Sequence, residues 1–287
     1  MGLGDFFKNI FGKKNCDFCG EQVGMMSRNK IKNDAFICNK CKYNCSKYIR
    51  VSRFTKEELA GHIEYMKRQD RLYKEVVSET KVYTVPSAFD QQAIAFYDEC
   101  GMFRIFDRHE NKDQLVELFR YDQVASWEKY LEETQPAEAG KPKEFKEYGV
   151  KIKMISKMDT TSELKPGTMP HPYIVDEIKI CLSKKTDKPD YADNIVFHFD
   201  HIFGVNDNKK GLLSFGPTTA QKRQGEAYKA MGSMLVTAVK TAKNGEESLT
   251  EEKIAQLKEG MNKIDDAQTN GLAVYTRRAN EAEAKIQ

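Results

Sequence analysis

No run of apolar residues in this chain of 287 approaches the ~20 needed to cross a bilayer as a helix, so a transmembrane segment is not expected. An export signal is missing as well, because Asp5 and Lys8 interrupt the apolar stretch at the start. The N-myristoylation pattern fails at Phe6, which stands where serine or threonine is required. Four catalytic signatures are absent: the phosphate-cradling G-x-x-x-x-G-K, the dinucleotide G-x-G-x-x-G, the zinc-protease H-E-x-x-H and the nucleophile-elbow G-x-S-x-G. There is no internal repeat, no low-complexity tract and only one tryptophan. The expectation is a non-enzymatic chain.

What is present suits a soluble globular protein of about two domains, with 40% hydrophobic and 31% charged residues. Seven cysteines without an export signal place it in the cytoplasm, where thiols stay reduced. The net charge of +3 hides an asymmetry. Residues 1–53 hold eight lysines and three arginines against three aspartates and one glutamate, a net +7. A zinc ion held by four thiolates would lower that to about +5, a moderate basic patch.

The strongest signal is Cys16-Asp-Phe-Cys19, then 18 residues, then Cys38-Asn-Lys-Cys41. A two-residue gap lets a tight turn aim both sulfurs at one point, and two such knuckles supply the four thiolates of a closed, tetrahedral structural zinc site. Gly20 suits the positive φ of the first turn. One structural Zn²⁺ on Cys16, Cys19, Cys38 and Cys41 is therefore expected. Cys45, four residues beyond Cys41, is either spare or a competing ligand. The alternatives are disulfides, opposed by the compartment, and a thioredoxin-type pair, opposed by the lack of a βαβ pattern.

Around this motif the chain divides into five parts. In the leader, residues 1–14, Leu3, Phe6, Phe7, Ile10 and Phe11 share one helical face, fit either to pack on the body or a partner or, with Lys8, Lys13 and Lys14, to rest on a membrane surface. Within the ribbon, 15–50, residues 23–37 read as a hairpin turning at Asn33-Asp34, with Arg28, Lys30 and Lys32 along one side. A helical linker, 54–80, opens with the capping box Thr55-Lys-Glu-Glu58 and carries Leu59, Ile63, Met66, Tyr73, Val76 and Val77 as its stripe, with His62 as a surface or flanking histidine.

The body, 81–245, shows strand patterns at 92–97, 102–106, 116–121, 124–131, 150–154, 173–182 and 194–203. Asp98-Glu-Cys-Gly101 reads as a hairpin turn, Trp127 as a core or hairpin anchor, and 134–149 as an exposed loop. Read as a strand, Ile195, Phe197 and Phe199 share a face, and His198 and His201 point to opposite sides, which disfavours a joint site. A helix is expected over 219–243. The tail, 246–287, carries Ile254, Leu257, Met261 and Ile264, then Leu272, Tyr275, Ala279, Ala282 and Ile286, at the spacing of a helical hairpin or short coiled coil.

Three stretches carry a family resemblance: the ribbon Cys16–Cys41 behind its MGL leader, Phe119-Arg-Tyr-Asp-Gln-Val-Ala-Ser-Trp-Glu128, and Asp176-Glu-Ile-Lys-Ile180 with Asn194-Ile-Val-Phe197. Together they resemble an uncharacterised bacterial and phage family that joins an N-terminal four-cysteine zinc ribbon to a pleckstrin-homology-like (PH-like) domain. The resemblance implies an α+β fold with a seven-stranded, strongly bent antiparallel sheet closed by helix 219–243, and it implies no activity. The insertion 134–170 and the helical tail depart from it. A PH-like barrel is chiefly a recognition platform. The leading expectation is a zinc-stabilised adaptor or regulator that binds another protein, or a second copy, through its PH-like domain and amphipathic ends. The alternatives are a nucleic-acid binder using Arg28, Lys30 and Lys32, and a peripheral membrane protein held by Leu3, Phe6, Phe7, Ile10 and Phe11.

Overall fold

The computed structural model describes residues 13–85, 92–107, 114–134, 144–156, 167–184, 189–205 and 271–287, with positions 229, 232, 254, 255 and 258 besides. The fold is mixed α+β, with small antiparallel sheets and few helices. Among the described residues no helix is long and apolar enough to cross a membrane.

At the N-terminal end, β1 (Lys14–Asn15) pairs with β2 (Gln22–Val23), and β3 (Arg28–Lys30) pairs with β4 (Phe36–Cys38). Asn33 and Asp34 turn the second hairpin with φ of 59° and 55°, the left-handed values that these two residue types tolerate best after glycine. The short helix α1 (Asn39–Lys42) follows. Next comes α2 (Lys56–Glu75), whose capping box is complete: Glu58 N–H donates to Thr55 Oγ1 at 3.2 Å, and Thr55 N–H donates to Glu58 Oε2 at 2.8 Å.

Seven strands then form two antiparallel meanders. The first is β5 (Tyr83–Val85), β6 (Gln92–Tyr97), β7 (Met102–Asp107) and β8 (Phe119–Arg120), and the second is β9 (Val124–Thr134), β10 (Glu144–Met154) and β11 (Ile178–Ser183). The turn between β6 and β7 ends at Gly101, with φ of 61°. A Cβ there would also lie 2.0 Å from the Tyr275 carbonyl oxygen, so both conformation and space demand glycine. In β11, Ile178, Ile180 and Leu182 are fully buried, and Lys179 and Cys181 face outward, as a period of two requires.

Three expectations are corrected. Residues 194–203 are not a strand but lie in and just beyond helix α3 (Pro189–Ile202). The period that decides it is helical: Ala192, Ile195, Phe199 and Ile202 are fully buried, whereas Phe197, which alternation would put in the core, is 69% exposed. Residues 144–149 belong to β10 rather than to a loop, and residues 173–177 precede β11 rather than opening it. Helix 219–243 lies almost wholly outside the described residues; it is α3 that covers the sheets.

The main core is aromatic. Phe199 meets Phe96, Phe103 and Tyr121 edge-on, with ring centroids 5.5, 5.4 and 6.3 Å apart. Trp127 is an anchor, half-buried against Phe199 and Phe203, with its indole N–H donated to Asp200 Oδ1 at 2.9 Å. The last helix, α4 (Leu272–Ala284), buries Leu272, Ala279 and Ala282, and Ile286 just beyond it, against the chain's own body. For that half of the tail the cover is internal. Arg120, buried between Asp122 (2.7 Å) and Glu283 (3.1 Å), clamps α4 to the sheet, with Asn280 Oδ1 accepting a further bond at 2.8 Å.

Helix α2 is a shared wall. Its first turns, through Leu59 and Ile63, pack with Ile31, Ile37, Cys45, Ile49, Val51 and Phe54 of the ribbon. Its last turn, through Leu72, packs with Ala95, Tyr97, Met102 and Leu118 of the body.

Candidate metal centre

The sulfurs of Cys16, Cys19, Cys38 and Cys41 all lie within 4.8 Å of one another, and Cys19 Sγ is 3.7 Å from Cys38 Sγ. A tetrahedral ion with metal–sulfur bonds of ~2.3 Å requires sulfur–sulfur edges of ~3.8 Å, so the donor set and its spacing fit zinc. The knuckles are built by their backbones. In the first, Gly20 N–H bonds Cys16 C=O at 2.8 Å with φ of 75°, and Asp17 N–H and carboxylate both bond the Phe36 backbone, at 2.9 and 2.6 Å. In the second, Cys38 caps α1, its sulfur accepting the Cys41 N–H at 3.3 Å, and Cys38 N–H donates to Cys16 Sγ at the same distance.

These N–H groups stabilise negative sulfur. Burial opposes ionisation of Cys16, yet backbone donors from Cys19, Cys38 and Phe18 bring its thiol down to about 7. Burial first, and then the neighbouring thiols, push Cys41 well up. Four thiols this close cannot all ionise without a cation; a bound divalent metal reverses that repulsion and fixes all four as thiolates. Cys16, Cys19, Cys38 and Cys41 would hold it, and a shell closed by four thiolates would leave no position for water or substrate. Cys45 is outside the cluster: it is buried in the ribbon core, and burial raises its thiol to about 12, so it serves as a small hydrophobe.

His62 is a correction. It is fully buried, not a surface histidine, because it stands one place before Ile63 on the face that meets the ribbon. Its Nε2 accepts the Ser46 N–H at 3.0 Å. The buried Nδ1 finds no partner among the described residues. Ser46, five residues past the last sulfur, also donates its hydroxyl to Glu117 Oε2 of the body at 2.8 Å. Burial holds the imidazoles of His62 and His171 down to about 4, and it raises the Glu117 carboxyl to about 7. Two outer bridges reinforce the joint, Asp176 with Arg50 and Arg53, and Lys47 with Asp107.

None of this joint was visible in the motif. Ser46, Glu117 and Asp176 are ordinary loop or strand residues until the chain is folded, and only the capping box signalled that α2 starts where it can reach the ribbon.

The basic residues of the hairpin are partly occupied. Lys30 pairs with Asp34 at 2.6 Å, and Arg28 sits over the Phe36 ring, 5.4 Å from its centroid; Lys32 is exposed. Leu3, Phe6, Phe7, Ile10 and Phe11 lie outside the described residues. His198 Nε2 donates to Asp98 Oδ1 at 3.0 Å, and that same carboxylate oxygen accepts the Tyr121 hydroxyl at 2.7 Å, tying α3 to the β6–β7 turn; His201 is exposed one turn on.

The N-terminal unit thus brings together four cysteines whose spacing fits a structural zinc ion. Residues 14–62 match a family described as "Domain of unknown function (DUF4428)". The match takes in both knuckles, Ser46 and α2 as far as His62. No curated protein and no solved structure matches the chain.

Proposed function

We propose that this chain is a non-enzymatic adaptor of the cytoplasm: a ribbon folded around one structural zinc ion and fixed to a PH-like body that recognises another protein. One observation carries the reading. The four sulfurs form a closed shell, and the segment leaving it is bonded at once to α2 and to the body through Ser46. Metal in that position supports structure and leaves recognition to surfaces. The PH-like reading of the body rests on its four-plus-three antiparallel meanders and on a helix after the last strand that fills the space between them. Fold-level analogy then favours binding over catalysis.

The test has two arms. Elemental analysis of protein purified without added zinc should give one equivalent per chain, and Cys38→Ser should lose it. In-cell cross-linking followed by mass spectrometry should then join the body of the wild-type chain to one protein reproducibly. A chain free of zinc, or one whose tightest ligand is DNA or RNA bound with a steep salt dependence that vanishes in the Arg28, Lys30 and Lys32 triple alanine variant, overturns the reading.

A further inference from the structure

The four sulfurs are not equally sheltered. Cys16 and Cys38 are 2% and 1% exposed, Cys41 is half-buried, and Cys19 stands on the surface. The approach to Cys19 is open: Asp17, Gly20 and Glu21 are exposed as well, and a Cβ built on Gly20 would meet nothing within 4 Å among the described residues beyond its chain neighbours. Behind it, 3.7 Å away, lies the buried sulfur of Cys38, which also accepts the Cys41 N–H. An accessible thiolate with a sheltered sulfur in reach is the arrangement a peroxide oxidises selectively, since the first is open to attack and the second can displace the oxygen it gains.

We propose that this centre is also a peroxide-responsive site, in which Cys19 is the sulfur oxidised and Cys38 the sulfur that resolves it to a disulfide. The inference rests on the zinc reading above, because a bound divalent ion keeps the sulfurs as thiolates at neutral pH. The Cys19 thiolate attacks one oxygen of hydrogen peroxide, the O–O bond breaks, and hydroxide leaves, with Cys19 now a sulfenic acid. The Cys38 thiolate then attacks the Cys19 sulfur, forming the S–S bond and expelling a second hydroxide. The two sulfurs lose two electrons, the peroxide gains them, and two protons from solvent complete two waters. Cys16 and Cys41 remain, too few donors to close a tetrahedral shell. The change reaches the joint with the body. Cys38 caps α1, Asn44 N–H bonds Cys41 C=O at 3.1 Å, and Cys45 N–H bonds Lys42 C=O at 2.9 Å. The next residue is Ser46, held by His62 and Glu117. Oxidation therefore loosens the ribbon's hold on the body, and a thiol reductant with zinc restores it.

Hydrogen peroxide added to the full, zinc-loaded chain tests this. Zinc is measured first: a chain without it overturns the zinc reading and this inference together, whereas a loaded chain that keeps its zinc in peroxide overturns this inference alone. The expected result is release of the zinc to a chromogenic chelator, dimedone trapping of a sulfenic acid on Cys19, and a Cys19–Cys38 disulfide in the peptide map. Cys19→His keeps a ligand nitrogen and removes the oxidisable sulfur, so it should hold zinc and release it at least ~10-fold more slowly. Cys41→His makes the same exchange of donor but leaves the pair intact, and should respond as the wild type does. If Cys19→His does not hold zinc, the wild-type peptide map decides. A disulfide from Cys19 to Cys16 or Cys41, or first oxidation at Cys45, Cys100 or Cys181, overturns the assignment. Exchange of the Ser46 amide should quicken as zinc leaves and slow again with dithiothreitol and added zinc; an amide that stays slow throughout overturns the coupling to the body.

Discussion

The ribbon and the body solve the same problem with different means. In the ribbon no strand exceeds three residues, and the core consists mainly of aliphatic side chains around a sulfur cluster. In the body β9 and β10 run to 11 residues each, and Phe96, Phe103, Phe119, Tyr121 and Phe199 are sequestered from water. Each such side chain contributes roughly 1.5–3 kcal/mol on burial, and each aromatic pair about 0.5–1.5 more. A unit the size of the ribbon has too little apolar surface for that route, and a metal ion on its four sulfurs would supply the difference. The contrast teaches where each half will fail, and α2, which serves both cores, sets how independently they do so.

Metal removal should separate them most. Structural zinc in ribbon-sized units supplies an apparent ~10–16 kcal/mol at neutral pH, more than such a unit holds by itself. Chelation, or Cys38→Ser, should render residues 13–50 sensitive to protease while the exchange protection of β6, β7 and β10 persists. Loss of the body's protection in the same step would show a single cooperative unit and remove the comparison.

Phe199→Ala is the reciprocal change. It empties the point where α3 meets both meanders, and it should cost ~3–5 kcal/mol of body stability, read from the denaturant midpoint. Zinc content should stay at its wild-type value. A smaller loss would mean that the sheets close over the gap.

Acidity and alkalinity probe the joint. Glu117 has a folded-state pKa raised to about 7, above its ordinary value of 4.5, because it is buried. Its contribution is therefore complete below about 4.5 and is lost as pH rises through about 7, with a slope of up to ~1.4 kcal/mol per pH unit. His62 and His171 have folded values near 4, below their ordinary 6.5, again through burial. Their contribution is complete above about 6.5 and is lost as pH falls toward 4, the range in which zinc thiolates also protonate. Stability should peak between these limits. Glu117→Gln keeps an acceptor for Ser46 and cannot ionise, so it should flatten the fall between about 6.5 and 7 and, by removing an opposing slope, steepen the rise between about 4.5 and 6.5. An unchanged alkaline limb would assign that slope to another group.

The sequence carried the ribbon well because thiolate spacing is a local property: four cysteines, Gly20 and the Asn33-Asp34 turn sit within one short segment, and each does what its chemistry dictates. The β6–β7 hairpin was legible for the same reason. The error at 194–203 arose because Ile195, Phe197 and Phe199 satisfy a period of two as well as Ala192, Ile195, Phe199 and Ile202 satisfy 3.6, and a short apolar run cannot decide between them. His62 failed differently. A histidine one place off an apolar stripe is buried only if something packs on that side, and the ribbon that does so lies earlier in the chain. Joints between units are written in both partners at once, which is why Ser46, Glu117 and Asp176 gave no signal.

The smallest change bears on whether α2 transmits strain between the two cores. Thr55→Ala deletes the hydroxyl that accepts Glu58 N–H, freeing one orphan donor at the helix start, and should cost about 1 kcal/mol. The affected turn is the one that packs on the ribbon, since Phe54 and Leu59 flank it. If α2 frays locally, only the ribbon transition shifts, because the first turns can loosen while Leu72 and Asp70, whose carboxylate accepts Val116 N–H at 3.2 Å, hold the far end to the body. If α2 behaves as one rigid rod, the same ~1 kcal/mol appears in both transitions. We expect the loss in the ribbon alone, because helix ends open more readily than helix centres. Hydrogen exchange resolved along α2 makes the distinction: faster exchange confined to residues 56–63 supports separate halves joined at a hinge-free wall, whereas a uniform increase through residue 75 shows that the metal centre and the aromatic core share one stability.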